Sequence, residues 1–134
     1  MIIMSRFFVK ALGSVMAHEL DRRALLGLHA ANREMRWEEL RRTVGEKSPQ
    51  LFAYAMERLM SNALVNRRLR PQGKRYKSIL STSGRGALIA AILESLSRSG
   101  RLPSELPEDV AEDVRAFFAP RIPKLQTPVP EGRG

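Results

Sequence analysis

The chain has 134 residues, and its balance of 43% apolar and 28% charged side chains is typical of one globular domain, not of a disordered or membrane-embedded chain. It contains no cysteine, which excludes disulfides, thiolate catalysis and zinc sites of the cysteine type. No apolar stretch approaches the ~20 residues that span a bilayer, and the first residues are a poor match to a secretory signal. We therefore expect a cytoplasmic protein with no membrane partner.

The net charge of +9 is unevenly distributed. Residues 33–86 carry thirteen basic and five acidic side chains, whereas residues 87–120 carry three basic and six acidic ones. A basic field in the middle of a chain indicates a polyanionic partner at that place. The alternative is a charged surface that contacts only solvent.

Apolar side chains at helical spacing predict an amphipathic helix from Ser5 to His18 and a second from about Asp21 to Asn32. Residues 33–36 are predicted to be a polar connection. A two-turn helix then begins at Trp37, which we expect to be a core anchor, and ends at Gly45.

Ser48 and Pro49 predict the start of the next helix. A serine hydroxyl can accept a hydrogen bond from the open amides of the first turn, and proline fits the first helical position. The apolar spacing continues to about Ser61, and Asn62 is predicted to be a left-handed cap.

The period then changes from helical to alternating, which predicts a β-hairpin. Its first strand runs from Leu64 to Leu69 and its second from Arg75 to Leu80, with a basic turn over residues 70–74 between them. Thr82 or Ser83 is predicted to cap a long helix that ends near Gly100.

The last part of the chain contains a proline-punctuated linker, a short helix from Pro107 to about Ala119, and a tail rich in proline and glycine. The expected organisation is an N-terminal helix over 1–20, a central domain over 21–100, a linker and helix over 101–119, and a tail over 120–134.

This order of elements resembles the winged helix-turn-helix layout, and local fragments support the resemblance. Residues 36–42 resemble the second helix of prokaryotic regulators of the HxlR, MarR and PadR type, and residues 48–52 resemble the start of their recognition helix. Leu59 with residues 62–65 resembles their passage into the wing. Residues 76–85 resemble their second wing strand and the entry into the helix after it. The fold class expected is therefore mainly α with a small β-hairpin (α+β), a winged helix with extra terminal helices.

The resemblance implies a sequence-specific regulator of transcription that binds double-stranded DNA, most often a repressor and a homodimer. The terminal helices over 5–18 and 82–99 are the candidate dimer contacts. Because the chain lacks cysteine, redox sensing is excluded. We expect no enzyme activity, cofactor or metal, and the sequence offers no support for a small-molecule effector.

In this fold the helix that begins at Ser48 lies in the major groove. Gln50, Tyr54 and Arg58 are expected outside or at the margin of its core-facing stripe. Gln can pair with adenine, Tyr can reach phosphate or sugar, Arg can reach guanine or phosphate, and Ser48 at the helix start suits a phosphate. The alternative is that this rather apolar helix, with Leu51 and Tyr54, is partly buried or faces a protein.

The hairpin, or wing, has six basic side chains within eleven residues and no acid among them: Arg67, Arg68, Arg70, Lys74, Arg75 and Lys77. Like charges across a strand pair destabilise it, and a negatively charged partner would offset the repulsion. Contact with phosphates or the minor groove is the favoured interpretation, and a solvated surface is the other. The second function class is a winged helix that docks protein and binds nucleic acid nonspecifically. Single-strand binding lacks the interleaved aromatic side chains it requires.

Overall fold

A computed structural model describes the backbone of residues 2–120 and the side chains from Phe7 to Pro120. Within these residues it has six helices and a three-stranded antiparallel sheet, which confirms the α+β class. The predicted tail lies outside the described residues apart from Pro120. The elements in chain order are α1 (Ile2–Ala17), α2 (Glu19–Ala31), β1 (Met35–Arg36), α3 (Trp37–Val44), α4 (Pro49–Ser61), β2 (Val65–Gln72), β3 (Arg75–Thr82), α5 (Gly84–Ser99) and α6 (Glu108–Phe118).

The chain divides into two compact units. The first, Lys10–Ala90, contains the sheet, α2, α3 and α4, and it carries sixteen Lys and Arg against seven Asp and Glu. The second comprises the described residues 2–9 and 91–120, where α6 buries Val114 and Phe118. Nowhere in residues 2–120 is there a helix with both the length and the apolarity needed to cross a membrane.

The sheet has the strand order β1-β3-β2, so β3 is central and β2 lies at an edge. Sequence analysis missed β1, which lies inside the predicted polar connection. Met35 pairs with Leu80 and is only 4% exposed, and Arg36 pairs with Ile79. A strand of two residues is too short to show an alternating pattern, so the prediction of a simple connection was wrong there.

The hairpin is longer than predicted because its loop is only Gly73 and Lys74. The predicted turn over residues 70–74 was therefore too wide. Pro71 stays within β2, opposite Tyr76, which an edge strand tolerates since proline offers no amide to a neighbour. Gly73 has a φ of +63°, and a positive φ at the first loop position suits a tight two-residue hairpin.

The two ends of α4 show one correct prediction and one error. At the start, the Ser48 hydroxyl accepts a hydrogen bond from the Leu51 amide at 3.1 Å, as predicted. At the end, Asn62 is not left-handed (φ −88°), and Ala63 takes that conformation instead (φ +60°). The helix closes through the Leu64 amide, which donates to the Leu59 carbonyl at 2.9 Å. That closure places the left-handed residue immediately before Leu64 and so selects Ala63.

Ser83 begins α5, and Thr82 belongs to β3. The Ser83 hydroxyl accepts from the Gly86 amide at 2.9 Å and donates to the Ala63 carbonyl at 2.7 Å. Gly86 sits so close to the chain before β2 that an added Cβ would lie 2.0 Å from the Leu64 carbonyl oxygen. These contacts attach the base of the hairpin to α4 and α5.

Candidate nucleic-acid interface

Helix α4 is joined to α2 by an ion pair. The Asp21 side chain is fully buried, and its two oxygens accept hydrogen bonds from Arg58, at 2.7 Å from Nη2 and 2.9 Å from Nε. The hydrogen bond to this carboxylate raises the pKa of Arg58. Sequence analysis placed Arg58 on the DNA face, but in the structure its guanidinium is bound by Asp21, so Arg58 is not grouped with the candidate interface residues. The clue was Asp21 itself, an acid on the same helical stripe as Leu25 and Leu28.

The other side of α4 presents polar and apolar groups to solvent. Leu51 and Tyr54 are 53% and 46% exposed, and Gln50 lies one helical turn before Tyr54. The Gln50 Nε2 donates to the Tyr54 hydroxyl at 2.7 Å, which fixes the direction of the amide. One N–H and the Oε1 of Gln50 stay available, and these are the groups that a bidentate contact with an adenine edge needs.

The start of α4 already binds a carboxylate of the same chain. The Glu46 carboxylate accepts from the Ser48 amide at 3.0 Å, and the Ser48 hydroxyl accepts from Leu51. Two of the groups that a phosphate would use are therefore engaged within the chain. Ser48 retains its hydroxyl proton as a donor.

The base of the wing is ordered by Arg67 and Trp37. The Arg67 Nε donates to the Ser78 hydroxyl at 2.8 Å, and its guanidinium lies 5.5 Å from the centre of the Trp37 ring. Trp37 in turn packs edge-on against the buried Phe52 with ring centres 5.3 Å apart. Trp37 is only partly buried: it contacts the core through Phe52, and its ring also provides a platform for a wing cation.

An acid from outside the hairpin reaches the wing. Glu34, in the connection between α2 and β1, accepts hydrogen bonds from Arg68 at 2.6 and 2.9 Å. Arg70 lies 3.8 Å from the same carboxylate. The hydrogen bond from Arg68 holds the pKa of Glu34 below its usual value. The sequence shows no acid among the wing cations, and only the strand order brings Glu34 to them.

The tip of the wing differs from its base in the partners of its cations. In the part of the chain that the structure describes, Lys74, Arg75 and Lys77 have no acidic side chain within ion-pair distance. The same holds for Arg36, which directly precedes α3, and for Arg42, in the last turn of α3.

Arg36 and Arg42 line a groove of about 350 Å³ between α3 and β3, together with Trp37, Glu38, Glu39, Lys77 and Ser78. The two glutamates of the groove are paired with Arg41 and Arg33, so their charges are compensated. The groove therefore has an excess of positive charge. Sequence analysis did not place Arg36 in the site, since a single arginine before a helix has no distinctive pattern.

The register of the hairpin separates two kinds of side chain. Paired residues point to one side of the sheet, so the pair Arg70 and Lys77 shares a face with Arg75. The opposite face carries Leu69 and Tyr76, which are 55% and 67% exposed. One face of the wing is thus cationic, and the other combines these two exposed apolar side chains with Arg67.

Among the described residues, no three His, Asp or Glu side chains lie together in a way that could hold a metal ion. Comparison of the chain with protein-family models, with curated proteins and with solved structures gives no match.

Proposed function

We propose that this protein is a winged helix-turn-helix regulator that binds double-stranded DNA in the cytoplasm in a sequence-specific manner, most simply as a repressor. The fold assignment is supported by the order α2-β1-α3-α4-β2-β3 and by the sheet order β1-β3-β2, in which a two-stranded wing follows the second helix of a helix-turn-helix. The observation that carries the functional part is the set of cations at the wing tip and in the adjoining groove that have no ion-pair partner among the described residues.

In this proposal, α4 and the basic wing tip with its adjoining groove contact different parts of the duplex. Helix α4 enters the major groove, and Gln50 with Tyr54 contacts base edges and the adjoining backbone. Lys74, Arg75 and Lys77 contact phosphates or the rim of the minor groove, where a concentration of positive charge is favoured. Arg36 and Arg42 contact the phosphates between these two places.

The first experiment measures binding to a short random-sequence duplex as a function of salt. If the five unpaired cations each neutralise one phosphate, the slope of log K against log salt is about −4.5. The triple variant Lys74→Ala, Arg75→Ala, Lys77→Ala should reduce that slope by about 2.7. The matched control is Arg98→Ala, Arg101→Ala, Arg115→Ala, which removes the same charge from the second unit. Equal losses in the two triple variants would contradict the proposed interface.

The second experiment selects bound sequences from a random duplex pool. Sequence-specific binding predicts an enriched motif, and a dimer predicts two half-sites separated by about 10 base pairs or a multiple of it. Gln50→Ala should weaken binding to the selected site by about 1–3 kcal/mol and leave binding to random duplex nearly unchanged. A pool without enrichment would refute specificity even if the salt slope holds.

The homodimer is part of the proposal, with α1 as its favoured contact. The apolar residues Ile89 and Ile92 of α5, a candidate contact in the sequence, are fully buried within the chain. On α1, Phe7 is 52% exposed. A solution mass of twice 15.1 kDa is expected from light scattering, and a single-chain mass at the concentrations used for binding would refute the dimer.

A second candidate function is protein docking through α4. The exposed Leu51 and Tyr54 favour it, because large apolar groups on a polar surface often mark protein contacts. Here the wing alone would bind nucleic acid, without sequence preference. The two functions differ in the effect of Gln50→Ala, which docking predicts to be silent for every duplex.

A further inference from the structure

The contact between Glu34 and two wing arginines distinguishes the wing base from its tip. Glu34 binds Arg68 through two hydrogen bonds and lies 3.8 Å from Arg70, while the tip cations have no such partner among the described residues. All three side chains are well exposed, with 43% for Glu34, 51% for Arg68 and 58% for Arg70. An exposed ion pair can open without moving the backbone.

The paired guanidinium has the geometry of a phosphate contact. A carboxylate and a phosphate each offer two oxygens to the planar fork of an arginine, and both form bidentate charge-assisted hydrogen bonds with it. Glu34 therefore occupies, in the free protein, the position that a DNA phosphate would take at Arg68. Arg70 lies at the border of the same anion.

We propose that Glu34 is a specificity-determining residue of the DNA interface, which keeps Arg68 and Arg70 from the phosphates of nonspecific DNA. The inference rests on the function proposed above. In a nonspecific complex, the tip cations Lys74, Arg75 and Lys77 contact the phosphates. Arg68 and Arg70 remain bound to Glu34. In a site-specific complex, α4 fixes the wing against the backbone, and a phosphate replaces the carboxylate.

Replacement of the Glu34 carboxylate by a phosphate makes the nonspecific and the site-specific complex differ in the number of counterions released. Each arginine that moves from Glu34 to a phosphate adds about 0.9 to the magnitude of the salt slope. Nonspecific binding lacks this contribution in the parent protein. Site-specific binding has it whether or not Glu34 is charged.

The test compares the parent, Glu34→Gln and Glu108→Gln on a random-sequence duplex between ~50 and ~200 mM salt, the range in which phosphate contacts dominate affinity. Glu108 is the matched control because it is also an exposed acid paired with one arginine, Arg115, and it lies outside the proposed interface. Glu34→Gln should tighten nonspecific binding severalfold and steepen the slope by about 0.9–1.8, whereas Glu108→Gln should leave the slope unchanged. On the selected site, Glu34→Gln should leave the slope as it is in the parent.

A further variant makes the assignment specific to the two arginines. Adding Arg68→Ala and Arg70→Ala to Glu34→Gln should return the nonspecific slope to the parent value. Equal slopes for Glu34→Gln and Glu108→Gln would overturn the role of Glu34 and leave DNA binding intact. Absence of salt-dependent duplex binding by the parent would instead overturn the proposed function, and this inference with it.

Discussion

The ion pair between Asp21 and Arg58 leads to an asymmetric prediction for folding stability. Asp21 is fully buried, whereas 35% of the Arg58 side chain is exposed. Arg58→Met leaves a carboxylate in the interior without a partner, which costs about 3–5 kcal/mol. Asp21→Leu leaves a guanidinium that can turn into water, so we expect a smaller loss of about 1–3 kcal/mol. The arginine variant is therefore the more damaging of the two, although it removes the more exposed residue.

The double variant Asp21→Leu, Arg58→Met completes the cycle. Because apolar residues of similar volume often replace a buried ion pair at little cost, the double variant should lie within about 1–2 kcal/mol of the parent. Urea unfolding followed by circular dichroism measures all four proteins. Additive losses, with a double variant less stable than either single one, would refute the argument that Asp21 depends on Arg58.

The same set of variants tests whether Arg58 contacts a DNA phosphate. The double variant restores the attachment of α4 without a guanidinium at position 58. It should bind random duplex with the salt slope of the parent. A slope reduced by about 0.9 would show a phosphate contact by Arg58 and would contradict its purely structural assignment.

Three smaller changes test other contacts. Gly86→Ala should cost about 1–3 kcal/mol or more because its Cβ would meet the Leu64 carbonyl at 2.0 Å, while the control Gly84→Ala has no atom within 4 Å; urea midpoints measure both. Ala63→Gly should raise the free energy of unfolding by about 1 kcal/mol in the same assay, since Ala63 is held at a φ of +60°; no gain would contradict the strain. The pKa of Glu34 is lower in the folded chain than in the unfolded chain. The ionised carboxylate therefore stabilises the fold fully at a pH above the unfolded pKa, and this stabilisation is lost as the pH falls through the folded pKa. Glu34→Gln should flatten that part of the acid limb in urea unfolding measured at several pH values, and an unchanged limb would contradict the lowered pKa.

Local patterns were enough to predict most elements of the first unit. Ser48 caps α4, and Gly45 ends α3 with a φ of +74°, because each depends only on the few residues beside it. The alternation over residues 75–80 predicted β3, although its two buried residues, Ile79 and Leu80, are adjacent and lie on opposite faces of the strand. The capping residue at the end of α4 was wrong by one position. Which residue becomes left-handed there depends on where Leu64 is buried, and not on the intrinsic tolerance of asparagine.

The contacts that define the candidate site were less accessible to sequence analysis. Asp21 and Arg58 are 37 residues apart, and Glu34 and Arg68 are 34 apart. Each pair meets only because the packing of α2 on α4, or the strand order β1-β3-β2, brings them together. A count of charges along the chain therefore described all six wing cations as equivalent. Within residues 7–120, the structure divides them into tip cations without an acidic partner, base cations bound to Glu34, and Arg67 stacked on Trp37.

Strand β2 also affects how the protein behaves at high concentration. Its outer edge, at the margin of the sheet, offers eight residues of backbone to any other strand that approaches. Arginine side chains and Pro71 along this edge oppose such pairing, since like charges repel and proline lacks an amide. The charge that would attract DNA thus also keeps one molecule from joining its sheet to that of another. Variants that remove these arginines should be kept dilute, and their light scattering followed with concentration, because they lose a barrier to self-association as well as a contact.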